Sequence, residues 1–411
     1  MAVVRLSCAV NNYHWGKHGL DSKAAQFAAT NPSVSIDASQ TYAELWMGTH
    51  PSGPSKVFGA ETELSTLVNE DPQRALSPGV ERKYGPHLPF LFKVLSIEKA
   101  LSIQAHPDKA LAARLHAERP TVYKDGNHKP EMSIALTDFI AMSGFRPLEE
   151  IAGFLDTYPE FRMLVSQSAD SFRAAATSST LSVAEKKAEL RKLFAELMAA
   201  EDVATQLDRL VSRIPQGSED ATSVDALVHR LNAEYPGDVG VFCVFVLNVL
   251  RLAPGDAFFM GPNDPHAYIA GDCVECMATS DNVVRAGLTP KMRDVPVLVD
   301  MLTYDFGTPM AKLLQPVPLG HGTKHSVVYD PPIDEFSVAC TRLEPKLSET
   351  VGPLQGPQIL IVAEGNGKLD AAGESFDVQP GFVYFVYPGT GYTLVAADGA
   401  QLVTYAAICL E

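Results

Sequence analysis

The chain has 411 residues, 46% hydrophobic and 20% charged, which suits a globular protein with a substantial core and excludes a disordered or fibrous one. Its formal net charge of -16 argues against a nucleic-acid or anionic-membrane surface, so an anionic ligand would need a local basic pocket. Six cysteines, at 8, 243, 273, 276, 340 and 409, are too sparse for a disulfide framework and point to reduced thiols in the cytoplasm.

In chain order, residues 1–16 show no charged leader followed by an apolar run and a cleavage site, which supports the cytoplasmic expectation. Up to about Gly144 the texture is strand-like, with β-rich runs at 42–46, 90–97, 100–106 and 132–140 broken by Gly and Pro. From Pro147 to about Tyr235 it turns helical. Leu148, Ile151, Phe154 and Leu155 share one face, and Ser182 with Glu185 has capping-box spacing ahead of Leu190, Leu193, Phe194 and Leu197. The apolar run at 239–250 is too short to span a bilayer and is interrupted by Gly240 and Asn248, so no membrane partner is expected. From Pro236 onward the chain is β-like again, with turn signals at Pro254-Gly255-Asp256, Gly365-Asn366-Gly367 and Pro380-Gly381. The expected fold is mostly β with a helical insertion, a β-barrel interrupted by an all-α lobe and followed by a second β unit.

The stretch Ala100 to Asp108 alternates, so Leu101, Ile103 and Ala105 point one way and Ser102, Gln104 and His106 the other. In the segment 127–131, Pro130 pushes Lys129 toward extended geometry, and Lys129 then shares a face with Glu131. His266 and Tyr268 share a face in the same way. Together these segments offer Gln104, His106, Glu131 and His266, a nitrogen and oxygen donor set that zinc accepts and that manganese or iron also tolerates. Cys273 and Cys276 form a C-x-x-C with no second pair, and a strand there would splay the thiols to opposite faces.

Several ordered motifs then carry a resemblance. Tyr13-His14-Trp15-Gly16, Glu44-Leu45-Trp46-Met47-Gly48-Thr49-His50-Pro51, Gln104-Ala105-His106-Pro107-Asp108, His128-Lys129-Pro130-Glu131-Met132 and Ser280-Asp281-Asn282-Val283-Val284-Arg285-Ala286-Gly287-Leu288-Thr289-Pro290-Lys291 follow one another along the chain. In these the sequence resembles the type I mannose-6-phosphate isomerases. The resemblance is strongest up to Lys291 and thins from about Asp330.

The resemblance implies two cupin-type, jelly-roll-like barrels plus an all-α domain. The segments would be residues 1–146 and 238–325 for the catalytic cupin, 147–237 for the helical insertion, and 326–411 for a metal-free cupin-like unit. It implies one zinc ion per chain on Gln104, His106, Glu131 and His266, with Arg285 as the active-site arginine. The implied activity interconverts mannose 6-phosphate and fructose 6-phosphate through an enediolate, feeding GDP-mannose synthesis, in a cytoplasmic monomer that needs neither nucleic acid nor membrane.

Lys129 and Glu275 are candidates for proton transfer, and Ser102, Lys93 and Lys291 for the phosphate. Trp15, Tyr268 and Asp281 are further candidates for contact with the sugar. Arg285 is suited to stabilising developing negative charge or to holding the phosphate. Two other readings stay open at this point: another metal-cupin enzyme such as an oxygenase, and a non-catalytic sugar-phosphate-binding cupin.

Overall fold

The computed structural model describes residues 2–218 and 220–410; the expected outer boundaries at 1 and 411 lie outside the described residues. Strand takes 30% of the chain and helix 29%, so the expectation of a mostly β protein is corrected to a mixed one. The excess helix comes partly from the first segment. There Lys23–Ala28, Leu64–Glu70, Pro72–Leu76, Pro78–Tyr84 and Lys109–Glu118 are all short. Helices of this length show little periodicity. Their sequence marks are instead the caps Ser22, Asp71, Ser77 and Asp108, whose side chains accept from first-turn amides.

Among the described residues, six α-helices run from Leu148–Thr157 to Val224–Glu234. The longest, Val183–Met198, opens with the expected capping box. Ser182 Oγ accepts from the Glu185 amide at 3.3 Å, and the Glu185 carboxylate accepts from the Ser182 amide at 2.8 Å. Its apolar face joins Ile103, Ala105, Phe145, Ala267, Ile269, Val284 and Ala286 in one hydrophobic cluster. The alternation of these strands therefore points their apolar residues outward to the helices, and Gln104, Tyr268 and Arg285 inward. Each large aliphatic or aromatic side chain buried there contributes about 1.5–3 kcal/mol.

Strands form sheets of ten, eight, four and two members. None of the described ladders closes on itself. The ten-stranded sheet runs from an edge at Leu247–Leu252 to an edge at Ala9–Asn11, so its strands make an open sheet and not a closed barrel. One half of it lies under the helices. The other half packs Leu45, Phe92, Val94, Ile134, Val274 and Cys276 against Ile359, Ile361, Phe385, Tyr405 and Ala407 of the eight-stranded sheet. Val3–Ser7 pairs with Val383–Val386, so the start of the chain is a strand of the C-terminal sheet. Cys273 and Cys276 fall in different clusters, as splayed neighbours should, and both are free thiols.

One strand connects the two halves. His266–Ala278 pairs through residues 266–270 with Phe139–Phe145, and through residues 271–278 with Phe90–Ile97. The change of partner falls at Gly271, where φ is +114° and an added Cβ would stand 2.5 Å from the Asp138 carbonyl oxygen. Only glycine adopts that backbone without strain. Gly271→Val is therefore expected to destabilise the protein by about 3 kcal/mol or more, combining backbone strain with overpacking of about 1–3 kcal/mol each. Chemical denaturation checks this, and an unchanged midpoint would mean that the bend does not need glycine.

Candidate active site

The strand Ile103–Ala105 lies between two others, and Gln104 is directly opposite His266 on one side and Arg285 on the other. Residues directly opposite in an antiparallel pair share a face, so Gln104, His266 and Arg285 form one inward row. His106 follows Gln104 by two residues and joins that face. Glu131 begins the strand Glu131–Ala135, opposite Met277, and Lys129 Nζ reaches its Oε1 at 3.2 Å across the extended Pro130.

The two imidazoles converge on one oxygen. His106 Nε2 is 3.4 Å and His266 Nε2 3.2 Å from Glu131 Oε2, and the three residues are 1%, 1% and 2% exposed. His106 Nδ1 bonds to the Asn282 carbonyl at 2.6 Å, and His266 Nδ1 to the Asp264 carbonyl at 3.1 Å. A carbonyl can only accept, so each Nδ1 carries the proton and each Nε2 presents a bare lone pair in the neutral ring. Neither Nε2 has a hydrogen-bond partner. Two lone pairs aimed at a buried carboxylate repel one another unless a cation lies between them. The donor atoms sit within 4.8 Å of one another, and the backbone carbonyls behind them fix the tautomer as metal sites require. These residues fit a zinc ion.

The protonation states agree. Burial pushes the His106 pKa down, which favours the neutral ring. Burial alone would raise Glu131, but the Lys129 ammonium opposes it, and the carboxyl lies well below its ordinary range. The carbonyl behind His106 is itself held: Asn282 Nδ2 donates to the Asp125 carbonyl at 2.6 Å and the Asn127 carbonyl at 3.0 Å. The carbonyl behind His266 belongs to Asp264, whose carboxylate takes Lys312 Nζ at 2.7 Å and Thr303 Oγ1 at 3.1 Å.

A second polar cluster adjoins the first. Trp46, Lys93, Glu275 and Ser133 are directly opposite one another across four strands, all buried. Lys93 Nζ bonds to Glu275 Oε2 at 3.0 Å, and Glu275 Oε1 accepts from the Tyr268 hydroxyl at 2.7 Å. Ser133 Oγ completes the chain at 2.6 Å from that hydroxyl, and Trp46 Nε1 donates to Glu44. Burial pushes the Lys93 pKa down, but Glu275 and Glu44 outweigh it and raise it, so the ammonium stays charged. Burial raises the Glu44 carboxyl, with Lys93 and Trp46 opposing. The His266 and Tyr268 ring centroids are 6.5 Å apart, which joins this cluster to the imidazoles.

The remaining candidates are more peripheral. Ser102 Oγ lies 3.5 Å from Gln104 Oε1, Trp15 stacks on Tyr13 at 5.9 Å and packs against the cluster holding Tyr268, and Asp281 is exposed 3.6 Å from His50 Nε2. Lys291 is exposed beyond the strand Val284–Gly287. Arg285 is half-buried, burial lowers its pKa, and its guanidinium has no hydrogen bond or ion pair among the described residues. The sequence reading passed over Glu44 and Ser133. Glu44 was findable, because it alternates with Trp46 onto the same face.

Comparison with known proteins agrees with this geometry. Residues 3–148 match the catalytic domain of phosphomannose isomerase type I, residues 163–247 its helical insertion domain, and residues 326–374 its C-terminal part. The mannose-6-phosphate isomerases of Ogataea parapolymorpha and Saccharomyces cerevisiae are each 44% identical, covering 98% and 96% of this chain and 98% and 96% of their own. The crystal structure of a lysine-to-alanine mutant of phosphomannose isomerase from Salmonella typhimurium is similar with a TM-score of 0.82 at 28% identity, covering 98% of this chain and 99% of that one. A mannose 6-phosphate isomerase bound with zinc and yttrium matches with a TM-score of 0.80 at 29% identity, over 98% of this chain and 99% of its own. With relatives this similar over nearly its whole length and three of its segments matched, the chain belongs to the type I phosphomannose isomerase family.

Proposed function

We propose that the chain interconverts mannose 6-phosphate and fructose 6-phosphate. The observation that carries this reading is the unpartnered Arg285 guanidinium, placed by strand register beside Gln104 and the imidazole pair. A half-buried cation with no counter-ion suits an anionic ligand, and the row it shares with the metal donors puts that ligand at the centre. Gln104 beside two histidines and one carboxylate departs from the facial triad of an oxygenase, and a mere binding protein has no use for a metal centre beside the cation.

The reaction moves a proton from C2 to C1 and the carbonyl from C1 to C2, so it needs no oxidant or reductant. In this reading Gln104, His106, Glu131 and His266 hold one zinc ion per chain. When bound, the zinc supplies Lewis-acid polarisation of the sugar oxygens. Arg285 stays cationic throughout and faces the negative charge that develops in the enediolate. Lys129, paired to Glu131, and Glu275, held by Lys93 and Tyr268, are the proton-transfer candidates. Ser102 and Lys291 would serve the phosphate together with Lys93, which also neutralises Glu275. Trp15, Tyr268 and Asp281 would border the sugar.

The same proposal holds that the sheets are two cupin-type halves, divided at 146/147, 237/238 and 325/326, in a cytoplasmic monomer feeding GDP-mannose synthesis. The all-helical block supports the boundaries at 146/147 and 237/238, whereas the eight-stranded sheet draws strands from both sides of 325/326. No helix among the described residues is long and apolar enough to cross a membrane.

Three outcomes are expected. Purified protein contains one zinc per chain, turns over mannose 6-phosphate without oxygen, and stops when chelated. His266→Ala loses both metal and activity; elemental analysis finding a loaded site in that variant would overturn the ligand set. Arg285→Ala keeps its zinc and loses about 10²–10³ in kcat, the usual cost of removing one charge-stabilising donor. A raised KM with unchanged kcat would instead assign Arg285 to ground-state binding.

A further inference from the structure

No hydrogen bond or ion pair among the described residues aims Arg285, so its direction depends on its backbone. That backbone is irregular. Val284–Gly287 pairs with Ile103–Ala105 on one edge, and the register slips between Arg285 and Gly287, as at a β-bulge. Immediately afterwards Leu288 takes φ +54°, in the left-handed region that a non-glycine residue adopts only when its surroundings hold it there.

What holds it is one carboxylate. Asp238 Oδ1 accepts from the Leu288 amide at 2.8 Å and from the Gly240 amide at 2.7 Å, and Oδ2 accepts from the Thr289 amide at 3.1 Å. Asp238 stands where the helical insertion returns to the sheet, as the cap of the short 3-10 helix Val239–Phe245. The contact is close because both backbones are bare. A Cβ on Gly287 would lie 2.5 Å from Gly240 Cα, and one on Gly240 would lie 2.5 Å from the Leu288 nitrogen.

We infer that Asp238 is a positioning residue for Arg285: it fixes the bulge and left-handed turn that aim the guanidinium. This couples the exit of the helical insertion to the active site and rests on the role proposed above for Arg285. A charged acceptor is required, because three amides share two oxygens and an amide side chain would offer one oxygen and turn an N–H group against the others.

The test is a double-mutant cycle with metal analysis. Asp238→Asn is expected to keep its zinc and to lose about 10- to 100-fold in kcat, the scale of a misplacement near 1 Å. In the Arg285→Ala background the same change should cost less than about twofold, because the group it positions is gone. Gly287→Ala, which forces the strand away from Gly240, should show the same non-additive loss. An Asp238→Asn variant with unchanged kcat, or losses that multiply in the double variant, would overturn the inference. A loss-free Arg285→Ala would instead overturn the role proposed for the arginine. Amide hydrogen exchange on the unaltered protein decides the matter even where a variant does not fold. The Leu288 and Thr289 amides should be protected, and exchange as fast as in exposed loops would overturn the inference.

Discussion

The structure depends on one bent strand. His266–Ala278 leaves the sheet under the helices and enters the sheet facing the C-terminal strands, turning at Gly271 against the Asp138 backbone. A straight strand of this length could not bring two side chains seven residues apart into contact. Here the Tyr268 hydroxyl reaches Glu275. The bend places His266 beside Gln104 at one end and Glu275 beside Lys93 at the other, so the two polar clusters adjoin. Asp272, just past the bend, accepts from Lys17 and Thr137 and ties the corner to the first segment.

Electrostatics then explains why a chain of net charge -16 can hold an anion. Around the site, Glu131 faces Lys129, and Glu275 faces Lys93, so these buried carboxylates are answered by nearby cations. Glu44, the carboxyl whose pKa burial raises, is the one that shares its lysine. Arg285 is left as a cation with no partner among the described residues. Exposed pairs elsewhere, such as Arg162 with Asp170 and Lys56 with Glu61, are neutral as pairs and contribute little to stability. The free guanidinium thus gives the site a local cation that composition hides.

Much of this could be read residue by residue. The alternation through Gln104 and His106 and the Pro130 constraint on Lys129 and Glu131 follow from the local backbone, and so does the His266–Tyr268 spacing. The side chains point as those patterns require. The capping box at Ser182 and Glu185 is equally local. The short capped helices of the first segment escaped because five to ten residues give periodicity little to act on. The strand expected over 132–140 is two strands, Glu131–Ala135 and Phe139–Phe145, since the turn between them is marked only by Thr137 and Asp138.

The sequence by itself therefore determined which side chains share a face and where the main helical block lies, because period and capping act over a few residues. Only the tertiary structure decided that the described ladders stay open and that the first strand belongs to the last sheet. It also decided that both imidazoles present a bare Nε2 and that Arg285 lacks a counter-ion among the described residues. Several of those facts arise between residues more than a hundred positions apart, such as His106 with Asn282 and Gln104 with Arg285, although the carbonyl behind His266 is the local one of Asp264. Burial and hydrogen-bond partners at such distances are set by how the sheets close over one another, which no local pattern encodes.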